Sequence, residues 1–326
     1  MSPVPGSLNK NRVYLWDNLK ILLISFVVIH HASIPYVVIK GQHWTEILYM
    51  VIMPYTMSTF TIISGYWFKT RSLSDLIKRF LFPCLLITFL AYGLKSYSPI
   101  TFMNKFHPWR FDIMWYLWVL FIYYLVTPTL LRFSLNKLLI ATVLLSLLAG
   151  CISYINGAFA LSRMIGFYPF FLLGVKLRRF GKFEEYINNR GLVVLARFVF
   201  VITLALYMLA FLYERSIHTY TTFSHSYDVY WYGIVVRFLT YIACTVLSIS
   251  LILSMPNKRY WFTKYGSRSL TPYILHPLLL YIFSWNLAIP IMDKRYGYVF
   301  YMLVIPALSM MTVNSRIHGF VQKLTS

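Results

Sequence analysis

The first apolar stretch of the chain carries four ionisable side chains, Asp17, Lys20, His30 and His31. Charge in hydrocarbon is expensive, so ionisable groups inside an apolar run mark function by default. On a helix, Lys20 and His31 are separated by about 1100° of rotation, three turns and about 20°. They share one face and lie about 16 Å apart along the axis. His30 points about 80° away from Lys20. Asp17 sits one turn before Lys20 and can pair with it. The pattern is an ion pair near one end of a helix and an imidazole deeper on the same stripe. A neutral imidazole is well matched to taking a proton from a poor nucleophile near pH 7. A plainer reading fits the same residues: Lys20 snorkels to the headgroups, and His31 is a core histidine bonded to a carbonyl.

Other polar groups fall inside or beside apolar runs. His276 precedes Pro277, which frees a carbonyl one turn earlier. His276 is therefore either a structural hydrogen-bonder at a kink or a group lining a polar path. Arg237 needs a partner; Asp228, nine residues before it, is too far along the helix for direct pairing. Lys78 and Arg79 stand just before a run, where a phosphate can dock. His43, His107, His218 and His225 show no ligand spacing with carboxylates or thiols, so no metal site is expected. Glu46, Asp112, Glu214, Asp228 and Asp293 lie on or near the expected outer side and can hydrogen-bond a saccharide or simply be solvated. Cys84, Cys151 and Cys244 sit in apolar runs and are expected to behave as small buried hydrophobes.

The elements that must position these groups follow from composition. Of 326 residues, 59% are hydrophobic, 19% aromatic and only 12% charged. Soluble domains carry about 25% charge. A disordered chain, a disulfide scaffold and an ordinary soluble enzyme are excluded; long apolar helices remain. Ten spans are predicted, over 19–38, 47–68, 77–94, 111–131, 138–155, 158–177, 192–213, 229–253, 270–289 and 296–313. The sixth, with Arg163, Pro169 and several glycines, is expected to be broken or re-entrant. The fold class is all-α integral membrane in one domain over 1–326. Residues 1–15 and 314–326 form short terminal segments.

The net charge of +21 resides in short loops rather than on one soluble face. That favours membrane lipid headgroups over nucleic acid. With ten spans, 19 Lys and Arg fall on one side and 8 on the other, and Lys20, Arg197 and Arg237 lie within spans. The richer side, which includes both termini, is predicted to be cytoplasmic.

Asp17-Asn-Leu-Lys20, ten residues and then His31 resembles the first-helix signature of the acyltransferase-3 membrane family. Further segments match in order. They are Phe60-Thr-Ile-Ile-Ser64-Gly65-Tyr66, Arg79-Phe-Leu-Phe-Pro83, Trp115-Tyr116-Leu-Trp118, Phe171-Leu-Leu-Gly174 and Tyr265-Gly-Ser-Arg-Ser-Leu-Thr-Pro-Tyr-Ile-Leu-His276-Pro277. The resemblance covers about residues 12–313. The departures are Lys20 where Arg is common, Tyr116 for Phe, and the additional His30.

The resemblance implies transfer of an acyl group, usually acetyl, from coenzyme A thioester to a hydroxyl of an envelope glycan or lipid-linked saccharide. It implies a multi-pass protein of the plasma (inner) membrane. Acetyl-CoA or another acyl-CoA would be a donor substrate, and no cofactor would be permanently bound. His31 would be the base or a transient acyl carrier, with Lys20 and Asp17 completing the catalytic stripe. Arg79 and Lys78 would meet the donor phosphates. Ser64, Trp115, Tyr116, His276 and Arg237 are candidates for the acceptor path or for holding an oxyanion. The rival reading is a saccharide or lipid transporter or flippase without acyl chemistry. The chain has no internal repeat and no mid-span carboxylate for proton coupling, which weighs against it.

Overall fold

Alternating apolar runs and basic loops fold into a bundle in which helices supply their own backbone hydrogen bonds, as hydrocarbon demands. The computed structural model describes residues 13–40, 43–95, 111–155, 157–181, 183–213, 223, 226–286 and 297–325. Among these residues there is no strand. The principal helices are α1 (Leu15–Lys40), α2 (His43–Tyr66), α3 (Leu73–Leu76), α4 (Phe82–Lys95), α5 (Trp115–Leu130) and α6 (Leu135–Ala149). They continue with α7 (Leu161–Phe180), the short α8 (Phe183–Tyr186), α9 (Arg190–Tyr213), α10 (Tyr230–Ser254), α11 (Leu270–Asn286), α12 (Gly297–Met311) and α13 (Ser315–Thr325). A π-turn, Ile77–Leu81, joins α3 to α4.

Among the described residues, five segments are long and apolar enough to cross a bilayer: 15–33, 73–94, 158–180, 190–213 and 230–254. The expectation of a broken sixth span is corrected here. Leu161–Phe180 is one helix through Pro169. The break falls before it, at Phe159 and Ala160, both in the left-handed region. The third span starts earlier than predicted, because Leu73–Leu76 and the π-turn extend it. The predicted C-terminal tail contains a helix, α13.

α1 lies against α2, α11, α12 and the turn Thr263–Arg268. The first turn of a helix leaves donors without intrahelical acceptors. Here the Leu15 amide donates to Asn257 Oδ1 at 3.2 Å. The Asn18 amide group donates to the carbonyls of Pro256 and Lys258, and its Oδ1 accepts from Thr263 Oγ1 at 2.6 Å. This clamp fixes the end of α1 that bears Asp17 and Lys20.

α2 and α7 approach so closely that two glycines are required. A Cβ on Gly65 would overlap the Phe171 carbonyl, and one on Gly174 would overlap the Ile62 carbonyl. Small residues at such crossings let backbones meet where lipid offers no hydrophobic drive. The glycine of Ser64-Gly65-Tyr66 and that of Phe171-Leu-Leu-Gly174 therefore interlock. By contrast α9 turns Leu195, Phe198, Val201, Leu206, Leu209 and Leu212 outward, as a lipid-facing helix should.

Gly65→Ala and Gly174→Ala each insert a methyl against backbone that cannot yield. Each is expected to lower stability by about 1–3 kcal/mol or more, read as a drop in the thermal midpoint of the purified protein.

Candidate active site

The deepest polar contact on α1 is a pair of histidines. His31 Nδ1 lies 3.1 Å from His276 Nε2, and the rings are stacked with centroids 5.2 Å apart. His276 is fully buried, whereas His31 keeps part of its surface accessible. His276 Nδ1 lies 3.0 Å from the Pro272 carbonyl and 2.8 Å from that of Tyr273. Carbonyl oxygens only accept, so Nδ1 carries the proton of a neutral His276 and Nε2 holds a lone pair. His31 Nδ1 must therefore donate to it. A neutral His31 is then left with its lone pair on Nε2. The two carbonyls on α11 thus select, through one ring, the basic nitrogen of the other.

His276 is a hydrogen-bonder on the helix carrying Pro277, and it is also a partner of His31. His30 is the neighbouring ring, 5.1 Å from His31 and tilted by 59°. Val28 and Ala32 on α1 pack with Leu280 and Ile305 as an apolar cluster beside the pair. Low polarity there strengthens any electrostatic interaction within reach.

Aromatic contacts connect the pair to other sequence candidates. Tyr273 stands 5.7 Å from the His276 ring and 6.0 Å from that of Tyr116. The Tyr116 hydroxyl is 2.9 Å from Ser64 Oγ. Trp115, 5.7 Å from the Tyr116 ring, lies under the guanidinium of Arg163 at 4.9 Å. Ser64, Trp115, Tyr116 and His276 thus belong to one neighbourhood, drawn from α2, α5 and α11.

Arg163, placed in the sixth predicted span and counted with the outer side, stands in the first turn of α7, over Trp115 and within electrostatic reach of His31 and Tyr273. It and Tyr273 are the residues that reasoning on motifs passed over. The available signal was a cation inside an apolar run, the same signal that singled out Lys20.

Lys20 Nζ is 3.1 Å from Asp17 Oδ1. The backbone of Asp17 presses on Gly266, where a Cβ would have no room. This ion pair lies some three turns from His31, about 16 Å along the helix, so it and the imidazole cannot meet one atom. Lys78 and Arg79 occupy the π-turn, Lys78 exposed and Arg79 half-buried, with Arg71 and Asp75 in electrostatic reach of Arg79. π-turns recur at functional sites because they re-aim side chains out of helical register.

Arg237 departs from its expected place. It is 1% exposed, donates to the Ser146 carbonyl at 3.1 Å, and stacks over Tyr227 at 4.5 Å and Phe223 at 5.6 Å. Those partners form a second buried cluster, in which the Tyr241 hydroxyl lies 2.6 Å from both Ser146 Oγ and the Gly166 carbonyl. A carbonyl and two ring faces are among the groups that hold the guanidinium there. His107, Glu214, His218, His225 and Asp293 lie outside the described residues, as do the side chains of His43, Glu46 and Asp112.

Among the described residues the protein is an all-helical, apolar bundle with an imidazole pair between α1 and α11. Residues 13–313 match the family model described as an acyltransferase domain, acyltransferase-3, and the chain belongs to that family. No curated protein and no solved structure matches it. Membership implies membrane lipids, an acyl donor and an acyl acceptor in general terms.

The tautomers are open to direct measurement. Nitrogen-15 spectroscopy of histidine-labelled protein at neutral pH is expected to find Nδ1 protonated and Nε2 bare in both His31 and His276. A protonated Nε2 on neutral His31 would reverse the assignment.

Proposed function

We propose that this protein moves an acyl group, acetyl by preference, from a coenzyme A thioester to a hydroxyl of an envelope glycan or lipid-linked saccharide. The observation that carries this reading is the His31–His276 hydrogen bond, which leaves a lone pair on Nε2 of a histidine that is only partly buried. A sugar hydroxyl is a poor nucleophile until its proton is removed. His31 Nε2 takes that proton as the oxygen attacks the thioester carbonyl. His276 holds the ring and shares the positive charge that results, with its own proton anchored on the α11 carbonyls. The same proton then leaves with the coenzyme A thiol.

Donor phosphates meet Arg79 and Lys78 at the π-turn, joined by Arg71. Guanidinium and ammonium groups at the membrane surface suit phosphate oxygens. Lys20, held by Asp17, lies between that end and the imidazoles and meets the pantetheine arm. The donor approaches from the cytoplasm, which is also the side of both termini, and the chain crosses the plasma membrane ten times. The excess of Lys and Arg on that side supports this orientation.

Replacing His31 by Ala is expected to reduce transfer by about 10²–10⁴-fold while insertion persists. His276→Ala removes the orienting partner and is expected to cost about 10–100-fold; His30→Ala costs much less. Equal losses from His30→Ala and His31→Ala would refute the choice of base. Transfer should also fall as pH drops, because protonated His31 has no lone pair, and recover on return to neutrality. Mass spectrometry of envelope glycans from cells with and without the protein should find one acyl mass difference. Reporters fused at either terminus should both lie in the cytoplasm.

A further inference from the structure

Two consecutive non-glycine residues, Phe159 at φ 52° and Ala160 at φ 50°, take left-handed backbone just before α7. Such conformations persist only where the surroundings over-determine them, and they gather at functional sites. Here the surroundings are specific. Trp118 Nε1 donates to the Phe159 carbonyl at 2.8 Å, and Trp118 is itself stacked on Phe111 at 4.9 Å. The Tyr123 hydroxyl donates to the Met164 carbonyl at 2.6 Å. Three aromatic residues thus hold the turn and the first residues of α7. Arg163 lies between them. Its guanidinium stands over Trp115, next in sequence to Tyr116. It lies within electrostatic reach of His31, the base, and of Tyr273, the ring between Tyr116 and His276. An always-charged side chain set just after a strained turn, within electrostatic reach of the imidazole base, is costly in an apolar run and marks function by default.

Resting on the acyltransferase reading, we infer that Arg163 donates hydrogen bonds to the carbonyl oxygen of the transferred acyl group and holds the negative charge that develops there. The acceptor oxygen forms its bond to the carbonyl carbon as its proton passes to His31 Nε2. The carbonyl π pair moves onto oxygen, beside the guanidinium. When that pair returns, the carbon–sulfur bond breaks, and the thiolate takes the proton from His31. Every proton and electron pair is accounted for without a further reagent. A guanidinium suits the role because it can lie over an aromatic ring, as Arg163 does over Trp115, while presenting a fork of five N–H donors. Lys20 cannot replace it, lying about 16 Å from His31 along α1. Charge held in place before it is needed is the strongest form of such stabilisation.

The test uses full-length protein in lipid nanodiscs, acetyl-coenzyme A as donor and envelope glycan from cells lacking the protein as acceptor, with thiol release followed. Arg163→Ala is expected to lower kcat by about 10²–10³-fold with KM for acetyl-coenzyme A little changed, the pattern of an interaction made in the transition state. Guanidinium chloride at millimolar concentration should restore part of the lost rate in this variant and none in the wild type. Should Arg163→Ala fail to fold, Arg163→Lys keeps charge and the Trp115 contact but loses the fork, and is expected to lower kcat at constant KM. Unchanged kcat, or a rise in KM alone, overturns the inference and leaves the acyltransferase reading standing. A folded wild type that transfers no acyl group overturns both.

Discussion

One hydrogen bond between two neutral imidazoles organises the chemistry of this bundle. His276 is anchored by carbonyls of its own helix, so it meets His31 as an acceptor, and His31 is left with its base on the opposite nitrogen. A protonated ring in either position would set two donors face to face or lose the lone pair. In water such a preference would be weak. In an apolar setting, with Val28, Ala32, Leu280 and Ile305 alongside, an unmatched polar group is costly, and the tautomers are correspondingly well defined.

The bond requires α1 and α11 to hold their register to a fraction of a turn. At one end, Asn18 ties α1 to residues 256–263 of the loop leading into α11. At the crossing of α2 and α7, Gly65 and Gly174 admit the opposing backbone. These contacts involve no reacting group, yet they set where Ser64, Arg163 and His31 stand relative to one another. The motif residues therefore divide by physical role. The glycines permit close approach, the aromatics fill and orient, and the histidines do the acid–base work.

The second cluster shows how a buried cation can join helices. Arg237 donates to a carbonyl of α6 and stacks over two rings of the segment before α10. Its partners make it a tie between helices. The same residue type at 163, in the first turn of the helix after the strained turn, lies instead over Trp115. Residue type alone does not separate these two arginines; their neighbours do.

The sequence by itself determined that the chain is a helical membrane bundle, because the excess of apolar residues admits no other solvent, and that Asp17, Lys20 and His31 share a stripe, because helical rotation is a property of spacing. It also established the family through ordered motifs. Only the tertiary structure decided that His31 meets His276, 245 residues away, that Arg163 lies over Trp115 within electrostatic reach of His31, and that Arg237 belongs to a second cluster. Periodicity constrains neighbours three and four residues apart, while a contact between distant helices depends on crossing points set by small residues and on the turn that precedes each helix. Phe159 and Ala160 make the point: their left-handed backbone is imposed by Trp118 and the packing around it, and nothing in their own side chains calls for it.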